Sequence, residues 1–263
     1  MAQSQPFLGR LEPFYCWYKW VRGHFAQKNK KNRKIMKKLL LSITFLLIAT
    51  LNYSQNSKIK FGIQAGLNYS NFRGYDIPVQ FEPVYSESPA FAFLGGLNFE
   101  YQIKEKLSLK LELNYERKSQ KGDNNIEITD IDGFTKAYNF TSKKNYDYLV
   151  LPIMLKYSFS NKNSFYINGG PFIGYLLKSN LTNDLQNIDG LNNDPVETTN
   201  LNNKTDFGLS IGLGKTIEIN EKNSIFIEIR ENLGLTNTSK NKVWGNGEVK
   251  TNSLNLIIGY SLN

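Results

Sequence analysis

The sequence predicts an all-β protein: an eight-stranded antiparallel transmembrane β-barrel of the outer-membrane type, with short periplasmic turns and long extracellular loops. Three observations predict it. Segments alternate between apolar and polar residues, eight such segments occur, and the connections between them alternate between short and long. A closed barrel is the β architecture that leaves no unpaired backbone groups in lipid.

The segment KLSLKLELNYERKS at 106–119 shows the alternation most clearly. Leu107, Leu109 and Leu111 fall on one face of an extended chain, and Lys110 and Glu112 fall on the other. Side chains in a strand alternate with a period of two, so the segment predicts a two-faced β-strand. The polar face carries charges that a soluble sandwich rarely buries, and lipid is the simplest environment for the leucine face.

The beginning of the chain predicts a leader. Residues 36–54 contain two lysines, an apolar core from Leu39 to Ala49 and small polar residues, which is the pattern of a signal peptide. The core is shorter than the roughly 20 residues of a membrane-spanning helix, and a signal anchor is the alternative. We interpret residues 1–35 as an N-terminal extension ahead of a true start at Met36, and residues 55–263 as the outer-membrane β-barrel.

The whole net charge of +9 comes from residues 1–54. Residues 1–54 hold ten Lys or Arg and one acidic residue, so residues 55–263 carry 22 bases and 22 acids. A basic excess would otherwise indicate a nucleic-acid partner, and none is expected here. His24 and Cys16 also lie in the leader, and a nucleophilic serine needs a base that is usually histidine. We therefore expect no enzymatic activity, and no cofactor or metal.

Eight strands are predicted, at 58–70, 90–103, 106–119, 146–159, 164–178, 205–219, 223–235 and 249–262. Short turns follow the second, fourth and sixth of them. The other connections are rich in Asn, Asp, Gly, Ser and Thr and predict loops, at 71–89, 120–145, 179–204 and 236–248. Short turns are typical of the periplasmic side of such barrels, so both termini are predicted to lie in the periplasm of a protein in the cell outer membrane.

The short turns also predict strand registers. Centring the first turn on Glu105 places Leu97 opposite Leu113 and Glu100 opposite Lys110, and such cross-strand pairs stabilise a sheet. Centring the third turn on Glu221 places Gly212 opposite Arg230 and Gly214 opposite Glu228. The small residues would leave room for the long ones.

The polar faces predict a charged lumen. Buried charges need partners, so we interpret these side chains as a structural network of salt bridges, with a gated path for solutes or protons as the alternative. The network residues are Lys60, Glu100, Lys110, Glu112, Glu116, Lys156, Asp206, Glu218, Glu228 and Arg230, with Gln64 and Asn68 beside them.

Two charges fall on the apolar face. Lys215 and Glu231 either follow a bulge at residues 212–214 that switches the faces, or extend along the surface toward water. The outward aromatic residues predict girdles at the membrane interfaces: Tyr69, Phe91, Tyr101, Tyr115, Tyr157, Tyr175 and Tyr260.

An acidic turn, Asp130 to Gly133, has the first ligands of a calcium loop but lacks the later ones. We interpret it as a solvated turn.

Seven motifs resemble the PorT family of outer-membrane β-barrels of the Bacteroidetes. They are KFGIQAGLNYSNFRG (60–74), LSLKLELNYERKSQKG (107–122), YLVLPIMLKYSF (148–159), FYINGGPFIGYLL (165–177), FGLSIGLGK (207–215), IFIEIRENLGLTN (225–237) and LNLIIGYSL (254–262). The resemblance implies a barrel that serves as an accessory of type IX protein secretion. The chain departs from this family by ending on Leu262 and Asn263 instead of an aromatic residue.

Two functions follow. The first is a structural or accessory barrel, with outer-membrane lipid and secretion-system or other envelope proteins as partners. The second is a surface barrel that recognises a ligand or host molecule through the loops at 120–145 and 179–204.

Overall fold

The computed structural model describes residues 58–129, 133–160, 163–184, 194–243 and 247–262, without the side chains of residues 126 and 128. These ranges belong to one unit, Ser57–Asn263. The predicted extension, the predicted signal peptide and residues 130–132 of the acidic turn lie outside the described residues.

Strands dominate the described residues. They are β1 Ile59–Arg73, β2 Tyr85–Lys104, β3 Leu107–Thr129, β4 Thr135–Ser158, β5 Phe165–Asp184, β6 Val196–Glu197, β7 Thr205–Asn220, β8 Asn223–Gly234 and β9 Lys250–Leu262. A 3-10 helix, Thr199–Leu201, follows β6. Over these same ranges no helix is long and apolar enough to cross a membrane.

Eight of the described strands close into a ring in which each strand pairs antiparallel with its neighbours. The order is β4, β3, β2, β1, β9, β8, β7 and β5, and the pairing of β4 with β5 closes it. β6 continues along the edge of β5 beyond the end of β7. The ring confirms the predicted eight-stranded antiparallel barrel.

Both predicted registers are confirmed. Leu97 pairs with Leu113 and Glu100 with Lys110 across the β2–β3 turn. Gly212 pairs with Arg230 and Gly214 with Glu228 across the β7–β8 turn. The apolar and charged cross-strand pairs therefore set the alignment of these strands, as the alternation required.

The two faces of the barrel differ in polarity. Outward aliphatic side chains are widely exposed, with 62 % of Ile63 and 58 % of Leu213 accessible, whereas inward polar side chains are buried. The outward apolar side chains form what we call the lipid-facing belt. The strand registers place its edge at the long-loop end on Tyr69, Phe91, Tyr115, Leu149, Tyr175, Phe207 and Leu254. All seven predicted girdle aromatics point outward.

The predicted loop at 120–145 is wrong in the described residues. β3 continues to Thr129 and β4 begins at Thr135, and the two strands stay paired from Leu107 with Tyr157 to Thr129 with Thr135. β2 begins at Tyr85 and β5 ends at Asp184, so these strands also extend past their predicted ends. Beyond the belt the outward face no longer meets lipid, so the apolar alternation stops while the backbone pairing continues.

Lys215 and Glu231 lie on the outward face. The pairing of β7 with its neighbours is regular through residues 212–214, so the bulge that could have switched the faces is not formed there. Lys215 is exposed, with its ammonium 5.0 Å from the centre of the Phe165 ring, and Glu231 is half-buried. The alternative of side chains that extend along the surface agrees with this placement.

Glycines on the inward face leave room for large side chains of neighbouring strands, as predicted. A Cβ on Gly214 would collide with the Tyr166 ring, and one on Gly259 would collide with the Phe226 ring. A Cβ on Gly212 would lie 2.7 Å from Glu228 Oε1. The glycines make space for the side chains that fill the lumen.

Candidate functional site

Four charged side chains form the centre of the lumen, which we call the central network: Lys110, Glu112, Glu228 and Arg230. The Arg230 guanidinium donates to both oxygens of Glu112, at 2.6 and 2.7 Å, and its Nε donates to Glu228 at 2.6 Å. The Lys110 ammonium lies 2.8 Å from Glu112 and 2.9 Å from Glu228. Two cations therefore balance two carboxylates, and no more than 3 % of any of the four side chains is exposed.

Neutral donors complete the central network. The amides of Gln64 and Asn114 donate to Glu112 at 2.7 and 2.8 Å, and the Tyr166 hydroxyl donates to Glu228 at 2.8 Å. The Lys110 ammonium also lies 4.5 Å from the centre of the Phe226 ring. Buried ion pairs offset their desolvation only when such hydrogen bonds satisfy the remaining lone pairs, and here the geometry does so.

A second ion pair lies toward the short-turn end. The Lys156 ammonium is 2.8 Å from Glu100 and 4.4 Å from the centre of the Tyr166 ring. Lys60 and Glu218 are half-buried and line an open pocket of about 60 Å³ at this end. These two predicted residues therefore face inward at the barrel mouth, outside the buried network.

Two further polar groups lie on the long-loop side of the central network. Glu116 accepts hydrogen bonds from Ser253 at 2.8 Å and from Asn232 at 3.3 Å. Lys118 lies 3.2 Å from Asp206, and both bind the Thr251 hydroxyl.

Lys118 is the charged residue that the sequence interpretation missed. It lies on the same strand face as Lys110, Glu112 and Glu116, and it is completely buried. Its position on that face could have identified it. Together with the ten predicted network residues, Lys118 makes five bases against six acids.

Apolar side chains close the lumen above Lys118. A cluster of buried residues, which we call the aromatic plug, consists of Phe72, Tyr146, Tyr148, Val150, Phe172, Leu176 and Val249. The Lys118 ammonium lies 4.9 Å from the centre of the Phe172 ring. The eight-stranded ring is narrow, and the charged layers and the aromatic plug fill it.

A cavity of about 250 Å³ lies above the aromatic plug, at the long-loop end, and we call it the mouth cavity. Phe72, Tyr146 and Val249 form its base, and Asn202 reaches it from the segment after the 3-10 helix. The Asn202 side chain accepts a hydrogen bond from the Tyr146 hydroxyl at 2.9 Å and donates to Ser179 Oγ at 2.9 Å. The remaining walls come from Tyr75, Lys144, Leu181, Thr198, Leu201, Ser239, Asn241 and Val243.

A carboxylate beside the mouth cavity gathers four donors. Glu87 accepts hydrogen bonds from Tyr85 at 2.6 Å, Tyr75 at 2.7 Å, Gln120 at 2.9 Å and Lys144 at 3.0 Å. Burial by itself would raise the pKa of Glu87, but the Tyr85 hydroxyl and the Lys144 charge hold that pKa below its usual value. Burial and the nearby carboxylate raise the pKa of both tyrosines. The ionised Glu87 therefore ties β2, β3, β4 and the segment after β1 together.

A second cleft of about 480 Å³ lies on the extended part of β2, β3 and β4 and is open to solvent. Its lining includes Glu82, Asp123 and Asp184. Over the described ranges no group of three His, Cys, Asp or Glu side chains could hold a metal ion. The mouth cavity is the more enclosed of the two and has more apolar walls.

The class of protein follows from this geometry and from the sequence. A closed antiparallel ring with an exposed apolar belt and a buried polar lumen is a membrane-spanning β-barrel. Residues 25–240 match the family described as "Outer membrane protein beta-barrel domain". The chain belongs to this family of β-barrels of the cell outer membrane.

Solved structures of outer-membrane barrels are similar to the chain at low identity. Ail, the attachment invasion locus protein of Yersinia pestis, shares 10 % identity, with 78 % of this chain and 99 % of Ail covered and a TM-score of 0.36. OprG of Pseudomonas aeruginosa shares 15 %, with 77 % and 94 % covered and a TM-score of 0.35. The outer membrane protease OmpT of Escherichia coli shares 10 %, with 78 % and 96 % covered and a TM-score of 0.38. No curated protein matches the chain.

Proposed function

We propose that the chain is a sealed outer-membrane barrel that binds a small, mainly apolar ligand in the mouth cavity, with the long-loop end outside the cell and both termini in the periplasm. The observation that supports this most directly is the contrast along the barrel axis. Charged layers and the aromatic plug fill the lumen, and a partly open cavity begins where the filling stops.

The lumen supports a structural role for the charged residues. In the central network every charge has an oppositely charged partner within 2.9 Å, and polar neighbours satisfy the carboxylates. A conducting path would need mobile charges or water between the layers. The plug above Lys118 is built from Tyr148 and Phe172, of which 2 % or less is exposed. We therefore favour the structural network over the gated path.

The cavity walls indicate the ligand class. Phe72, Tyr146, Leu201 and Val249 offer apolar and aromatic surface, whereas Thr198, Ser239 and Asn241 add polar groups to the lining. Ligand sites typically combine such walls with a few convergent polar groups, and most have volumes of about 300–1,000 Å³. The mouth cavity is smaller, so it suits one aromatic or aliphatic group that carries a single polar substituent.

The experiment uses 2-naphthoate, a water-soluble aromatic carboxylate, with the protein purified from outer membranes and placed in lipid nanodiscs. Leu201 lies on the 3-10 helix at the cavity wall and is 54 % exposed, so Leu201→Trp can fill the cavity without disturbing the barrel. We expect this change to weaken binding, measured by saturation-transfer NMR, by about tenfold, which is about 1.4 kcal/mol. Leu235→Trp is the matched control, because Leu235 is similarly exposed at 48 % and does not line the cavity. Equal binding by both variants would contradict the proposal.

A second candidate function is an accessory of protein secretion, and the seven motifs that resemble the PorT family support it. Envelope partners would then contact the long-loop end or the periplasmic turns. Deleting the gene and comparing secreted proteins in the medium with those in the periplasm tests this role. Trapped cargo that complementation releases would support it, whereas normal export would favour the ligand-binding barrel.

We also propose that the barrel is not an enzyme. Residues 55–263 contain neither His nor Cys, so the usual base for a serine nucleophile is missing from this part of the chain. Glu112 is committed to Arg230 and Lys110, and Glu116 to Ser253 and Asn232, so the buried carboxylates have structural partners. Incubating the purified protein with peptide and lipid ester substrates should release no product.

A further inference from the structure

The pairing between β2 and β3 is irregular at the long-loop edge of the lipid-facing belt, and we call the outward surface at this place the notch. Pro89 pairs with Gln120 and Leu94 with Glu116, and the register shifts between these pairs. The Lys143 ammonium reaches this notch from β4 and donates to the Phe91 carbonyl at 3.3 Å. The bulge thus leaves a backbone acceptor that a side-chain cation occupies.

The floor of the notch is aromatic. The Phe93 ring stacks on the Tyr115 ring, with centres 5.7 Å apart, and the Arg117 guanidinium lies 5.6 Å from the centre of the Phe93 ring. Arg117 also binds Asp147 through two hydrogen bonds, at 2.6 and 3.0 Å. Arg117 is therefore held in one orientation, with about a third of its side chain exposed.

The notch has an excess of positive charge. Lys121 pairs directly with Lys143 across the β3–β4 sheet, and both lie outside the belt on the same outward face as Arg117. Burial and the neighbouring charges of Lys121 and Arg117 lower the pKa of Lys143. Lys178 on β5 adds a fourth base opposite Asp147. The nearby acids on this face are Asp147, Asp123 and Asp184, which pairs with Thr141 next to Asp123. Four bases thus face three acids.

We propose that this notch, defined by Arg117, Lys121 and Lys143, binds the phosphate of a lipid headgroup in the leaflet at the long-loop end. A lipid fits the position, because the cations lie directly beyond exposed apolar side chains that would contact its acyl chains. A phosphate fits the chemistry, because it would neutralise the excess charge and accept charge-assisted hydrogen bonds from Lys and Arg. Basic sites at membrane interfaces recognise lipid headgroups in this way.

The inference rests on the proposed orientation of the barrel, but it does not depend on a ligand in the mouth cavity. The Leu201→Trp variant should therefore bind the lipid as well as the unaltered protein does. Loss of one binding activity without the other would separate the two proposals.

The test is a native mass-spectrometry titration of the detergent-purified protein with phosphorylated lipid A and with its dephosphorylated form. The Lys121→Gln, Lys143→Gln double variant removes two charges while Arg117 and Asp147 stay paired. We expect it to weaken binding of phosphorylated lipid A by about tenfold. The double variant Lys104→Gln, Lys215→Gln makes the same charge change at the short-turn end, and we expect binding within about twofold of the unaltered protein.

Gel mobility of unboiled samples shows that each variant is folded, and Lys143→Gln alone serves if the double variant is not. Equal loss in the two double variants would overturn the proposal, and so would equal binding of phosphorylated and dephosphorylated lipid. Displacement of the lipid by an equal concentration of inorganic phosphate would also overturn it, because the site would then bind free anions.

Discussion

Replacing Arg230 by Met tests whether the central network stabilises the barrel. Arg230 donates three hydrogen bonds to Glu112 and Glu228, and its side chain is 1 % exposed. The substitution would leave two buried carboxylates facing one cation, Lys110. Because removing one partner of a buried ion pair typically costs about 3–5 kcal/mol, we expect the free energy of unfolding to fall by that amount.

The assay is urea unfolding of the barrel in lipid vesicles, followed by the gel mobility of unboiled samples. The compensating variant combines Glu112→Gln with Arg230→Met, which leaves Lys110 paired with Glu228 and no net charge. We expect it to recover at least about 2 kcal/mol of the loss. A double variant no more stable than Arg230→Met, or a loss below about 1 kcal/mol for Arg230→Met, would refute the reasoning.

Three further changes and one transport measurement test other parts of the structure. The pKa of Glu87 is lowered in the folded state, so the ionised carboxylate stabilises the long-loop end above about pH 4.5, and this stabilisation is lost as the pH falls further. Protease cleavage at the long-loop end should therefore rise below that pH. Glu87→Gln should abolish this pH dependence. Gly259→Ala should lower the free energy of unfolding by about 1–3 kcal/mol, because its Cβ would meet an aromatic ring. The Cβ of Gly95→Ala would make only an ordinary contact, 3.7 Å from the Gln64 carbonyl oxygen, so this control should change the free energy little in the same urea assay. An impermeant maleimide should label Phe134→Cys on intact cells but not Glu105→Cys, since these residues lie at opposite ends of the barrel, and the reverse pattern would invert the proposed topology. Liposomes that contain the barrel should swell in small sugars no faster than protein-free liposomes, and fast swelling would show that the lumen conducts.

The extension of β3 and β4 shows the limit of predicting strands from apolar alternation. Residues 120–129 and 135–145 contain only brief apolar alternation, at Ile126 and Ile128 and at Tyr138 and Phe140. They are therefore predicted to be a loop, yet they pair along their whole described length. Alternation marks a strand only while one face meets lipid and the other meets a polar lumen. Past the belt that contrast disappears, although the backbone hydrogen bonds do not require it.

The pairing of charged residues in the lumen could not be predicted from the sequence. The inward face of β3 was evident from alternation, and with it Lys110, Glu112 and Glu116. The alternation did not reveal which residues they bind, because Glu112 binds Arg230, 118 residues away, and Lys118 binds Asp206, 88 residues away. These partners depend on how the ring closes and on the height at which each strand places its side chains.

The sequence by itself determined the membrane-spanning parts of eight strands, their outward and inward faces, the short turns and two registers. Each of these follows from a period of two and from pairs close together in the chain. Tertiary structure alone decided the mouth cavity, the four donors around Glu87 and the notch. Their residues come from segments that are distant in the chain, and only the closed ring brings them to the same end of the barrel.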